Sequence, residues 1–131
     1  MTLPLVLIVE DYAPSRYALR RILGTGRYRF IDAGSLGTAR ELLRSHRPAL
    51  ALFDVNLPDG NGFDLCCEAL VARPGLPIVL MSSSYRSSEH RDAWQSAGAA
   101  AFLEHPIDAT ELRTIAARLL AGANGQPDAD G

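Results

Sequence analysis

The chain has 131 residues, enough for one domain with a real core. Apolar residues make up 47 %, which excludes a disordered chain, and a net charge of −2 gives no general pull toward nucleic acid or an anionic membrane. All 13 residues of the Lys+Arg count are arginines, so the chain has no lysine.

The predicted elements alternate between strand and helix. Leu5 to Val9 is a short β-branched run, too short for a signal-peptide core or a membrane span, so no membrane contact and a cytoplasmic setting are expected. Pro14 opens a helical stretch in which Leu19, Ile22 and Leu23 recur at helical spacing, closed by Gly24-Thr25-Gly26. Tyr28 to Ile31 is a more alternating strand, which places it at an edge. Ser35 is positioned to cap a helix striped by Leu36, Ala39, Leu42 and Leu43. Pro48 then breaks the chain before the apolar run Ala49-Leu-Ala-Leu-Phe53, which leads into Asp54 and a Pro58-to-Gly62 turn. Such a run reads as a buried strand of a parallel sheet.

A third helix follows through Phe63, Leu65, Ala69 and Leu70. Within it Cys66 and Cys67 are adjacent, which fits neither a routine disulfide nor a metal site. Ile78 to Met81 is a fourth strand, Ser82 to Ser88 a polar loop, and Glu89 to Ala97 a fourth helix stopped by Gly98. Ala100 to Leu103 makes a fifth strand. Asp108 with Glu111 opens a last helix faced by Leu112, Ile115, Ala116 and Leu119. Five β-α units imply an α/β fold with a five-stranded parallel sheet between two helical layers. The domain is expected over residues 1–121, with 122–131 a flexible tail or truncated linker.

In a parallel sheet the strand C-termini share one edge, where open α/β folds place their chemistry. That edge collects Glu10 and Asp11 after strand 1, Asp54 at strand 3, Ser82 at strand 4 and His105 after strand 5. Three carboxylates together repel unless a cation sits among them. All-oxygen ligation with few protein donors suits Mg²⁺, and the backbone carbonyl of Asn56 is a further oxygen within reach of Asp54.

The acidic pair, the Asp before a Pro/Gly turn, the Ser closing an apolar strand and the segment Phe102-Leu-x-x-Pro106, in that order, resemble the receiver domains of bacterial two-component response regulators. The resemblance covers residues 4 to about 121. It implies a (βα)5 flavodoxin-like three-layer sandwich whose central Asp accepts a phosphoryl group from a phosphohistidine with Mg²⁺ bound. By this resemblance Asp54 is the phospho-acceptor, and Glu10, Asp11, Asp54 and the Asn56 carbonyl are the metal contacts. Ser82 is the hydroxyl that bonds the phosphoryl group, Phe102 the aromatic switch residue, and Pro106 follows a bond that is typically cis. The implied partners are a sensor histidine kinase or phosphotransfer protein on the input side. On the output side they are a downstream protein or a second copy, met through the helix 4–strand 5–helix 5 face that carries Arg91, Trp94, Phe102 and Arg113. Trp94 is expected to be partly in the core. The family assists its own phosphotransfer and dephosphorylation without being an enzyme in the ordinary sense.

The chain departs from the family at one place. Where the family reads Lys-Pro, this chain reads His105-Pro106. Lysine is a permanent point charge on a long stem, while histidine is shorter and only partly charged near neutrality. Three readings of His105 stand: a working, pH-sensitive substitute; a domain that takes phosphate yet signals weakly or by another route; or a pseudo-receiver that acts by binding alone. Arg86 is a candidate compensating charge. Tyr12 lies near the pocket mouth, Ser83 stands where the family favours Ala, and Asn56 and Ser84 occupy positions that tune autodephosphorylation in the family. An aspartate-nucleophile phosphatase is disfavoured because Asp54-Val55-Asn56 lacks the second Asp of its Asp-x-Asp motif. A flavin site is disfavoured because Glu10 and Asp11 would repel a phosphate. Direct nucleic-acid binding has neither a module nor a basic stripe. A stand-alone regulator, a phosphorelay intermediate and a part of a larger protein all fit.

Overall fold

The computed structural model describes residues 2–82 and 93–124. Five strands form one parallel sheet: β1 (Leu5–Val9), β2 (Arg29–Ala33), β3 (Leu50–Asp54), β4 (Ile78–Ser82) and β5 (Ala101–Glu104). Their order is β2-β1-β3-β4-β5, so the alternating, half-exposed β2 does lie at an edge. The helices are α1 (Ala13–Leu23), α2 (Leu36–Ser45), α3 (Gly62–Ala72), a turn over residues 93–96 (α4) and α5 (Ala109–Asn124). This is the three-layer sandwich expected from the βα alternation.

The strands read as continuous apolar runs because both of their faces are covered. Leu7, Val9, Ala51, Phe53, Ile78 and Leu80 face Leu36, Ala39, Leu65 and Ala69 of α2 and α3. Val6, Ile8, Leu50, Leu52, Val79 and Met81 face Leu19, Leu23, Leu112, Ala116 and Leu120 of α1 and α5. Each fully buried Leu or Phe contributes roughly 1.5–3 kcal/mol. A one-residue slip of any strand would exchange the two faces, so the register is held firmly. That register sets Val9 beside Phe53 and Asp54 beside Met81, which lines up the strand ends that carry the polar residues.

The helices begin where the sequence signals them. The Ser35 hydroxyl accepts from the Thr38 N–H at 3.2 Å, the Asn61 side chain from the Asp64 N–H at 2.9 Å, and the Asp108 carboxylate from the Glu111 N–H at 2.8 Å. Boundaries shift by a residue or two: β2 begins at Arg29, and β3, β4 and β5 extend to Asp54, Ser82 and Glu104. The β3–α3 turn contains a minimal hairpin, Asn56–Leu57 against Gly60–Asn61, that no alternation in the sequence announced. Cys66 is buried with its thiol pushed up to about 11 by burial, and Cys67 is exposed; both are free. The last helix continues to Asn124, past the boundary drawn at residue 121. The start expected for the fourth helix at Glu89, together with Ser83, Ser84, Arg86 and Arg91, lies outside the described residues, as does the tail from residue 125.

Candidate functional site

The apolar strands carry their terminal carboxylates to one edge. Glu10 and Asp54 follow the parity of Val6, Ile8, Leu50 and Leu52, so they emerge on the α1/α5 side of the sheet. Glu10 is 4 % and Asp54 6 % exposed, while Asp11 is exposed. One oxygen from each of the three carboxylates lies within 4.8 Å of the others. They sit in a cleft of about 430 Å³ whose wall is completed by Tyr12, Ser15, Asn56 and His105. Tyr12, 63 % exposed, stands at the mouth as expected.

Crowding carboxylates away from water disfavours their charged forms. Burial, reinforced by the Asp54 charge and the Asp11 carboxyl, pushes Glu10 up to about 7. The Tyr12 N–H, donating to Glu10 Oε2 at 3.1 Å, opposes this. Asp54 is also raised by burial. The Asn56 N–H at 3.2 Å and the nearby His105 both pull it down. Two buried acids held above their usual range, with a third beside them, form an all-oxygen set of carboxylates that a hard divalent cation would relieve. The donor chemistry therefore fits Mg²⁺.

Ser82 is fully buried at the end of β4, one residue beyond the Met81 that pairs with Asp54. Its carbonyl accepts the His105 N–H at 2.8 Å, which ties β4 to the residue that follows β5. His105 is half-buried in the cleft wall, and the His105–Pro106 bond is cis, as the resemblance implies. Phe102 is half-buried and packs on the α2/α3 side of the core. It stacks on Trp94 at 6.3 Å between ring centroids with 8° between the planes. Trp94 is thus partly core, as expected, and also part of a cleft of about 520 Å³ shared with Gln95, Phe102, Glu104 and Glu111.

Residues 6–117 match the family model of the response regulator receiver domain. The chain belongs to that family. Among receivers and receiver-bearing proteins, it is 34 % identical over 109 residues to the DNA-binding transcriptional activator DevR/DosR of Mycobacterium tuberculosis, covering 82 % of this chain and 50 % of that protein. It is 34 % identical over 124 residues to the response regulator protein PilR of Pseudomonas aeruginosa, covering 95 % of this chain and 27 % of that one. The chain therefore spans half or less of these curated relatives. The solved CheY-like receiver domain protein of Methanospirillum hungatei superposes with a TM-score of 0.88 at 26 % identity, over 95 % of this chain and 99 % of that one. The non-phosphorylated HemR receiver domain of Leptospira biflexa gives 0.80 at 30 % identity, over 90 % and 94 %. The chain is thus a receiver domain of two-component signalling, a family in which phosphorylation on Asp is standard. Among the described residues, no helix is long and apolar enough to cross a membrane.

Three residues support this receiver's pocket without having stood out in the sequence. Arg16 Nη1 donates to the Glu10 carbonyl at 2.6 Å, and Arg16 and Arg20 both pair with Asp32 on β2, so α1 is tied to the loop that presents the acidic pair. The Asp59 carboxylate accepts the N–H groups of Leu36 and Gly37 at 2.9 and 3.2 Å, which binds the β3–α3 turn to the start of α2. Gly62 begins α3 against the Asp54 main chain, where a Cβ would strike the Asp54 carbonyl oxygen. Arg16 carries a helical spacing signal only, and Asp59 reads as an ordinary turn residue. Gly62 reads as turn punctuation, although close backbone approach is the other known use of glycine.

Proposed function

We propose that this receiver takes a phosphoryl group onto Asp54 from a phosphohistidine of a sensor kinase or phosphotransfer protein. In that step an Asp54 oxygen attacks phosphorus as the phosphorus–nitrogen bond breaks, and the histidine leaves as neutral imidazole after taking up a proton. The gathering of Glu10, Asp11 and Asp54 within 4.8 Å beside His105 carries this reading. The three carboxylates and the Asn56 carbonyl would hold Mg²⁺, which when bound supplies positive charge for the equatorial phosphoryl oxygens. Arg16 keeps the acidic pair in place through the Glu10 carbonyl. His105 stands where the family has lysine, in the wall of the same cleft. Ser82 bonds the phosphoryl group and, through its carbonyl link to His105, draws on the start of the following loop. Phe102, stacked on Trp94, passes the change to the α4–β5–α5 face, where a downstream protein or a second copy docks. The domain assists its own phosphorylation and hydrolysis through these groups. The two free thiols accord with a reducing, cytoplasmic setting, and the receiver unit extends to Asn124.

Incubation with acetyl phosphate and MgCl₂, read by intact mass, tests the reading. The wild type is expected to gain one phosphoryl mass and Asp54→Ala none. A wild type that gains nothing would overturn the acceptor assignment and leave a receiver that signals by binding alone. His105→Lys is expected to raise labelling at pH 8 and to flatten its pH dependence. If it does neither, His105 is no part of the switch.

A further inference from the structure

The N-terminal edge of the sheet, opposite Asp54, is lined by arginine. Arg44 lies in the last turn of α2, Arg47 in the connection to β3, and Arg73 caps α3. Two clefts meet there. One, of about 250 Å³, lies between Leu43–Arg47 and Ala72–Arg73. The other, of about 350 Å³, continues past Pro48, Ala49 and Leu76. They share Arg47, Ala72 and Arg73. Among the described residues no carboxylate lines either cleft, and none lies within ion-pairing distance of Arg44, Arg47 or Arg73.

Arg73 is pinned in place. Its guanidinium donates to the His46 carbonyl at 2.6 Å and the Pro48 carbonyl at 3.4 Å. Burial, followed by the charge of Arg47, holds it below the usual arginine range. Two like charges therefore stand near each other with no anion to offset them. Helix C-termini favour a cation, which accounts for Arg44 and Arg73; Arg47 belongs to no helix. The floor between the guanidiniums is apolar, formed by Leu43, Ala49, Ala72 and Leu76. Arginines around an apolar floor have the composition of a protein interface. Among the described residues no aromatic ring lines the clefts to offer bases a stacking surface.

We propose that this arginine-rimmed groove docks an acidic segment of a partner protein, with a carboxylate between Arg47 and Arg73 and an aliphatic side chain on the Leu43–Leu76 floor. The surface lies at the opposite strand ends from Asp54, so its occupation is independent of the phospho-acceptor reading.

Fluorescein-labelled peptides (Glu-Leu-Asp)₄ and (Glu-Ser-Asp)₄ serve as probes, titrated with the full chain by anisotropy in about 50 mM and about 200 mM NaCl. The variant is Arg44→Gln/Arg47→Gln, at two exposed positions; Arg73 is spared because it bonds the main chain. The leucine peptide is expected to bind saturably, at least about fivefold tighter than the serine peptide, and to lose about tenfold in the double variant. Amide shifts in ¹⁵N spectra are expected at residues 43–48 and 72–77, and Asp54→Ala should bind as the wild type does. Absence of saturable binding, equal affinity for the two peptides, or an unaffected double variant would overturn the proposal. Tighter binding of single-stranded DNA of matched charge, or of phosphatidylserine vesicles, through the same arginines would also overturn it and assign the groove to another polyanion.

Discussion

The two ends of the central sheet treat charge in opposite ways. At the C-terminal end, Glu10, Asp11, Asp54 and Asp59 gather where helices begin; at the N-terminal end, Arg44, Arg47 and Arg73 gather where helices finish. The parallel topology aligns the helix dipoles, and charge of the complementary sign collects at each end. Asp59 and Asp108, which accept main-chain N–H groups at the starts of α2 and α5, need no further explanation. Glu10 and Asp54 do, because burial raises both and the Asp54 charge raises Glu10 further. The arginines remain at or near the surface. One end therefore holds charge under strain that a cation and a phosphoryl group can use, and the other holds charge that is merely unpaired.

Gly62→Val should have the largest effect on this contrast. The new side chain would strike the Asp54 carbonyl, which belongs to the main chain and has little room to yield. Overpacking of this kind costs about 3 kcal/mol, readable as a lower urea midpoint at unchanged slope. Labelling by acetyl phosphate should fall with it. Unchanged stability would mean that the acidic end does not depend on the close approach of α3.

Glu10→Gln probes the strain itself. A carboxyl held at about 7 in the folded chain, against an ordinary 4.5, keeps a proton in the native state that the unfolded chain gives up. Its effect on stability is therefore nil below pH 4.5, grows more unfavourable as pH rises toward 7, and is constant above. The cost at pH 8 is on the order of 3 kcal/mol. Thermal melts of the metal-free wild type should fall in Tm from pH 5 to 8, and Glu10→Gln should flatten the slope. MgCl₂ should flatten it in the wild type as well, since a cation favours the ionised form. A slope unaltered by both would show that the acidic end is no more strained than the basic one.

The sequence made the architecture legible because burial on both faces leaves uninterrupted apolar runs, and Leu5–Val9 was bounded to the residue. The acidic cluster was legible for the same reason: once strands are placed, their ends are placed. What stayed hidden was carried by pairs distant in the chain with no periodic signature. Arg16 reaches the Glu10 carbonyl because of how α1 packs, and Asp59 reaches α2 across 23 positions of sequence. The hairpin at Asn56–Asn61 was hidden because two-residue strands carry no alternation to detect. The arginine groove was hidden because Arg44, Arg47 and Arg73 each look like ordinary surface residues until α2 and α3 bring them together.

Away from both ends, the Trp94–Phe102 stack should be worth less. A double-mutant cycle with Trp94→Leu and Phe102→Leu should return a coupling of about 1 kcal/mol, the usual size for an aromatic pair. Trp94 emission should also change when fluoroberyllate and Mg²⁺ are added to the wild type, and the change should shrink in Phe102→Leu. A coupling near zero would detach the output face from the acidic end.

Arg40→Ala should change least. Arg40 holds Glu68 through two bonds of 2.8 and 3.0 Å, linking α2 to α3 just above the arginine groove. The geometry is good, yet both side chains are more than 40 % exposed, so water screens the pair and each pays entropy to hold it. Thermal melts of Arg40→Ala and wild type should therefore coincide within error at ordinary salt. The substitution frees the Glu68 carboxylate beside Arg44, which lines the same interhelical cleft. Affinity of the groove for the leucine peptide should then fall slightly while stability holds. A clear loss of stability would instead make the α2–α3 ion pair structural, and the basic side of the molecule would share the energetic tension assigned to the acidic one.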